Sequence, residues 1–200
     1  MQRYCFFDNF ALMDNYPVIN TRRRTSRLSI RVTKDGEVRV SAPRLVPKSV
    51  INEFVEAHRD WIEKALARVQ VNTAGREAFY AQLDVSTPAL RKAAAARLDA
   101  IVMPMMERHS TEMGVAPAGI SYRCSKSRWG SCNPRTQKIT FSTYLLLLPE
   151  WCIEHVVVHE LCHLLVADHG PRFYALMDRH FPLWKEARRE TRRLMRSPAQ

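Results

Sequence analysis

From residue 17 to 43 apolar and polar positions alternate, the pattern of half-buried strands. Leu28, Ile30 and Val32 fall on one face, with Arg27, Ser29, Arg31 and Thr33 on the other. Lys34-Asp35-Gly36-Glu37 carries the Asp-Gly pair that favours a hairpin turn, and Val38 and Val40 continue the return strand until Ser41-Ala42-Pro43 ends it. The spacing then changes. Val50, Ile51, Phe54, Val55, Ala57, Trp61, Ile62, Ala65 and Leu66 recur at helical intervals and predict one helix over 48–69. A β-hairpin plus helix therefore forms an N-terminal unit, residues 1–72.

Asn72-Thr73-Ala74-Gly75 marks a loop, and 76–87 show no pattern, which places a linker there. Thr87-Pro88 opens a second helix, with Thr as N-cap and Pro at the first position. It runs to about His109 and ends near Gly114, and Pro104 inside it predicts a kink or a break. Ile120–Cys124 and Lys138–Ser142 alternate as strands around a turn-like Ser127–Pro134, and Leu145–Leu148 belongs to a strand or its end. Pro149-Glu150 then opens an apolar run (Trp151, Ile153, Val156, Val157, Leu161, Leu164, Leu165) too long for a strand. It predicts a buried helix, stopped by Asp168-His169-Gly170-Pro171. Two further helices follow, 171–180 and 182 onward. The fold class is α+β, with the second unit spanning 86–200 and no internal repeat.

The buried helix carries the candidate chemistry. His159-Glu160-Leu161-Cys162-His163 sets two imidazoles four residues apart on one helical face, where both can point at one ion. Glu160 lies beside the first of them, placed to take a proton from water without being a ligand. His169 follows after enough chain to turn back, completing three protein ligands and leaving a fourth position open, the catalytic form of a zinc site. Cys162 points away and reads as core packing. His58, His109, His155 and His180 have no ligand-like partner and read as surface or core residues. Asp168 and Asp178 are candidates to orient a ligating His, with capping or solvation as the plainer alternative. Arg128, Trp129, Gly130, Ser131 and Arg172 are candidates for the substrate cleft. Gly130 would allow close backbone approach, and Arg128, Ser131 or Arg172 would stabilise an oxyanion. Equally, Trp-Gly-Ser is a tight turn packed on the core.

Composition narrows the partners. The 200 residues are 46% hydrophobic and 26% charged, enough for a real core. No stretch is long and apolar enough to span a bilayer, which argues against a membrane role, and the N-terminus has no secretory pattern. Five cysteines without a C-x-x-C pair predict reduced thiols and a cytoplasmic location. The net charge is +11, gathered in Arg22–Arg24 with Arg27 and in Arg188, Arg189, Arg192, Arg193 and Arg196. Such charge attracts nucleic acid or nucleotides. The C-terminal cluster, beside Trp184 and Leu194, also has the spacing of the outer face of an amphipathic helix, and no groove-reading motif accompanies it.

Ser127-Arg128-Trp129-Gly130-Ser131-Cys132, Leu145–Pro149, Val156–His163 and His169-Gly170-Pro171-Arg172-Phe173 together resemble the YgjP-like metallopeptidase family, related to the SprT and WLM types. The resemblance implies a zincin-like core, a short antiparallel sheet packed on the active-site helix with a second helix beside it. It also implies His159, His163 and His169 as metal ligands, Glu160 as catalytic carboxylate, zinc as cofactor and a peptide or protein substrate. The third ligand is spaced as in metzincins, but Val166 stands where those enzymes have a turn glycine. A zinc metallopeptidase is the leading expectation. A phosphoanhydride (nucleotide) hydrolase using the same metal, or a nucleic-acid-associated module with a structural metal, are the alternatives.

Overall fold

The structure, a computed structural model, describes residues 8–13, 16–23 and 26–196; over 8–23 it describes the backbone and the Val18 side chain. Cys5, Arg24 and the N-terminal residues 1–7 read above for a signal lie outside the described residues, as do the Arg22 and Arg23 side chains. The chain divides into two compact units, Met1–Ala74 and Gly75–Gln200.

In the first unit β1 (Asp8–Met13), β2 (Tyr16–Arg23), β3 (Ser29–Val32) and β4 (Val38–Pro43) form one sheet in the order β1-β2-β4-β3. The expected hairpin is β3–β4, antiparallel, with Gly36 at φ 81° in its turn. β4 also pairs in parallel with β2. Val38, Val40 and Ala42 alternate onto the buried face and pack with Ile51, Val55 and Ile62. Those last residues lie on two helices, α1 (Lys48–Glu56) and α2 (Arg59–Ala81), where the spacing predicted one. The break has a local cause. His58 Nδ1 donates to Phe54 O at 2.7 Å, so the side chain takes the carbonyl that the next helical bond would have used.

α2 also overrides the loop expected at 72–75 and the linker expected at 76–87, running unbroken to Ala81. Phe79 and Tyr80 anchor its end in the second unit's core. Gly75 is a contact residue here rather than a turn residue: a Cβ would stand 3.0 Å from Arg196 O. In the same unit α3 (Pro88–Met113) begins as predicted, Thr87 Oγ1 accepting from the Leu90 N–H at 3.2 Å, and ends at a left-handed Gly114. Pro104 does not break it. Leu98, Val102 and Met106 are buried on both sides of the proline, and that packing outweighs the lost backbone bond.

β5 (Gly119–Arg123), β6 (Gly130–Asn133) and β7 (Lys138–Ser142) form the second sheet, order β5-β7-β6. The sheet is mixed rather than antiparallel, since β5 runs parallel to β7. β6 occupies part of the segment expected to be a turn, and Leu145–Leu148 is no strand, because Thr143–Leu147 coil into a 3₁₀ helix. α4 (Glu150–Leu165), α5 (Pro171–His180) and α6 (Trp184–Leu194) complete an α+β fold. α4 lies at the centre. Val157, Val158, Leu161 and Cys162 are fully enclosed, with α3, β6, α5 and α6 packed around it. Each such apolar side chain stabilises the fold by roughly 1.5–3 kcal/mol. Among the described residues no helix is long and apolar enough to cross a membrane, and Cys124, Cys132, Cys152 and Cys162 are free thiols.

Candidate active site

α4 is buried on nearly every side, so its polar residues must find partners inside the protein. The helix ends at Leu165, earlier than Gly170 would have stopped it, with Val166 extended at φ −141°. That reversal brings Val166 O to 3.2 Å from His163 Nδ1, so the Nδ1–H donates to it. The ring is thereby fixed in the tautomer whose free lone pair is on Nε2. Gly170 instead precedes α5 as its N-cap, with Pro171 in the first turn. The short connection returns His169 to the helix, where His169 Nε2 lies 3.1 Å from His159 Nε2.

The ligating-type nitrogens of His159, His163 and His169 all lie within 4.8 Å of one another. Phe173, 1% exposed and in the first turn of α5, packs against all three rings at centroid distances of 4.9, 4.7 and 4.6 Å. Burial, reinforced by the neighbouring His163, His155, His169 and Arg188, holds His159 down to about 3. Burial also lowers His163. Both rings are therefore neutral at pH 7, as metal ligands must be.

The trio fits a divalent cation. Two nitrogens about 2.1 Å from one tetrahedral zinc lie about 3.4 Å apart, close to the observed 3.1 Å. Without a cation, two neutral imidazoles this close must share one proton or repel. The neighbouring carboxylate fits as well. Glu160 is 4% exposed and its Oε2 is buried without a partner. Burial pushes its pKa up to about 8, against the Cys132 N–H and the Arg128 charge, which both favour ionisation. A dication nearby would restore the ionised form.

Gly130 makes the close approach expected of it, but toward Glu160 rather than a ligand: a Cβ there would stand 2.5 Å from Glu160 Oε1. β6 is thus a glycine rail for the carboxylate. The site opens into a cavity of about 500 Å³. Arg128, Trp129 and Gly130 line it from the β6 side, while Ser131 and Arg172 are absent from its lining. Trp129 also packs on Phe79 and Tyr80, so it serves core and cavity together.

Sequence reasoning missed the opposite wall. His155, read as surface or core, lines the cavity, as do Tyr174, Met177, Trp184 and Arg188. His155 was discoverable, since it lies one turn before His159 on the same helical face. Arg188 belonged to the run read as a solvated face. Asp178 orients no histidine; its Oδ1 accepts from Trp184 Nε1 at 2.7 Å. His109 is buried with Nε2 2.8 Å from Glu154 Oε1. Cys162 is core, its Sγ 3.6 Å from Met177 Sδ.

A family model for the YgjP-like metallopeptidase domain matches residues 26–87 and 80–194. No curated protein sequence matches the chain. Among solved structures, the metallopeptidase zymogen of Pyrococcus abyssi abylysin is similar over 49% of this chain and 99% of its own, with 23% identity and a TM-score of 0.43.

Proposed function

The chain belongs to the YgjP-like metallopeptidase family, and from that premise we propose that it hydrolyses peptide bonds with a zinc ion held by His159, His163 and His169 and with Glu160 as general base. The observation that carries this reading is the convergence of three imidazoles beside a buried carboxylate at the mouth of a cavity.

Held by His159, His163 and His169, zinc would supply Lewis-acid chemistry, polarising the scissile carbonyl and acidifying water. Glu160 takes the proton of the attacking water on its carboxylate and returns it to the leaving nitrogen. Gly130 and the Cys132 N–H hold that carboxylate in place from β6. Val166 O keeps His163 in the ligating tautomer. Phe173 excludes water from behind the three rings and fixes their mutual tilt. Nickel, cobalt or copper would also suit three imidazoles, and supply in the cell selects among them.

The test pairs metal analysis with turnover. Purified protein should carry stoichiometric zinc by mass spectrometry, and Glu160→Gln should keep it while losing peptide cleavage by orders of magnitude. Release of phosphate from a nucleotide panel without peptide cleavage, lost in Glu160→Gln, would replace the peptidase reading with a phosphoanhydride hydrolase.

A further inference from the structure

The cavity extends past the metal-ligand trio to α6, and the groups on that far wall have no role in the chemistry above. Trp184 and Arg188 lie four residues apart on α6 and both face the cavity. Tyr174 stacks on Trp184 at 5.2 Å and 22°, making a flat aromatic floor. Asp178 holds the Trp184 ring through its Nε1–H at 2.7 Å, so the floor is fixed.

Of the α6 arginines, Arg188 lines the cavity, and like Arg192 it differs from the other two in its pairing. Arg189 is paired with Glu186 at 2.7 Å and Arg193 with Glu190 at 2.6 Å. Among the described residues Arg188 has no carboxylate partner, although its charge bears on both His155 and His159. His155, beside it on the wall, has its Nδ1 buried without a partner. Orphan buried N–H groups are rarer than orphan acceptors, so a proton belongs on Nε2, making this ring a donor. Among the described residues the cavity's one carboxylate is Glu160, and its other charged side chains are Arg128 and Arg188. An unpaired guanidinium and a donor imidazole side by side suit a planar anion.

We propose that Arg188 and His155 form a carboxylate-recognising subsite, so that the preferred substrates are peptides with an acidic group on the α6 side of the cleaved bond. The carboxylate is that of a glutamate or aspartate side chain or of the peptide's own C-terminus. The inference rests on the peptidase reading above. Arg188 is a specificity residue and takes no part in bond cleavage.

The experiment uses matched peptides carrying Glu or Gln at each position flanking the cleaved bond, each made as free acid and as C-terminal amide. Two readouts are taken: kcat/KM with the zinc-loaded enzyme, and equilibrium binding to Glu160→Gln by fluorescence anisotropy. The acidic form should be preferred by about tenfold in both, the equivalent of about 1.4 kcal/mol, a modest figure because Arg188 is exposed. Arg188→Gln should bring the ratio close to unity, and Arg188→Glu should shift preference toward lysine-containing peptides. A preference that follows the free acid alone assigns the subsite to a C-terminus, and one that follows Glu over Gln assigns it to a side chain. Cleavage with no acid preference, or a preference that persists in Arg188→Gln, overturns the subsite. Arg188-dependent binding of acidic peptides without cleavage keeps the subsite and removes the peptidase reading, and neither binding nor cleavage removes both.

Discussion

Replacing Gly130 with alanine tests whether β6 sets the position of the Glu160 carboxylate. A Cβ at 130 would stand 2.5 Å from Oε1, 2.7 Å from Cγ and 2.8 Å from Cδ of Glu160. Comfortable carbon contacts begin near 3.5 Å, so about 1 Å must be found. The strand cannot supply it easily: Gly130 pairs with Phe141, and the Ser142 N–H donates to Trp129 O at 2.8 Å. The helix cannot either, because Val157, Val158 and Leu161 are fully enclosed. The carboxylate is the part that moves, away from the Cys132 N–H. A displacement of about 1 Å at a reacting group costs on the order of a hundredfold in rate, about 2.7 kcal/mol of barrier. Overpacking would cost folding a further 1–3 kcal/mol, roughly. The three histidines are untouched, so zinc content by mass spectrometry should stay stoichiometric while kcat/KM for a cleaved peptide falls about a hundredfold. Circular dichroism and urea unfolding establish that the variant is folded. A folded Gly130→Ala enzyme with native kcat/KM would refute the argument that the bare backbone at 130 holds Glu160 in place.

Three further outcomes follow from the same contacts. Zinc at about 100 times its dissociation constant should stabilise the protein by about 2.7 kcal/mol, visible as a raised Tm that a chelator reverses; His159→Ala should abolish that rise, and retained tight zinc binding would show the ligand set to be wrong. Leu98→Ala, at a wholly buried position on α3, should cost about 3–5 kcal/mol in urea unfolding, and a loss under 1 kcal/mol would mean that α3 is loosely packed. Thr87→Ala removes the hydroxyl that accepts from the Leu90 N–H and should cost about 1 kcal/mol, restored in large part by Thr87→Ser.

The fold was legible where the determining forces are local. The β3–β4 hairpin follows from Asp35-Gly36, and the start of α3 follows from Thr87-Pro88. Both rest on residues adjacent in sequence. Where packing between distant segments decides, the pattern misled. Asn72–Gly75 has loop composition, yet α2 continues through it because Phe79 and Tyr80 enter a core built by residues far along the chain and because Gly75 lets Arg196 approach. Ser127–Pro134 has turn composition, yet Gly130–Asn133 is held as a strand by its ladder to β7. Local preferences of that size, tenths of a kcal/mol to about 1 kcal/mol per residue, yield to tertiary burial.

The same division runs through the site. The three histidines of the proposed metal site lie within eleven residues of one another, and the helical repeat alone brings two of them to one face, so spacing was enough to single them out as a cluster. Glu160 came with them. The far wall is different: Arg188 is one arginine among five, Arg188 to Arg196, repeating at three- and four-residue intervals. Nothing local separates the one that meets the cavity from those that meet solvent. The distinction is made by Trp184, Ala187 and Thr191, which are buried and set the rotation of α6 against α4. With that rotation fixed, 188 is the position that shares the Trp184 side of the helix and reaches the cavity, while 189 and 193 are left to pair with Glu186 and Glu190. The proposed catalytic chemistry therefore belongs to one short segment, whereas the proposed substrate selection depends on how two helices pack. The two should separate under mutation: changes at Ala187 or Thr191 that rotate α6 should alter which peptides are preferred while leaving zinc stoichiometry intact, measurable as a changed Glu/Gln ratio at unchanged metal content.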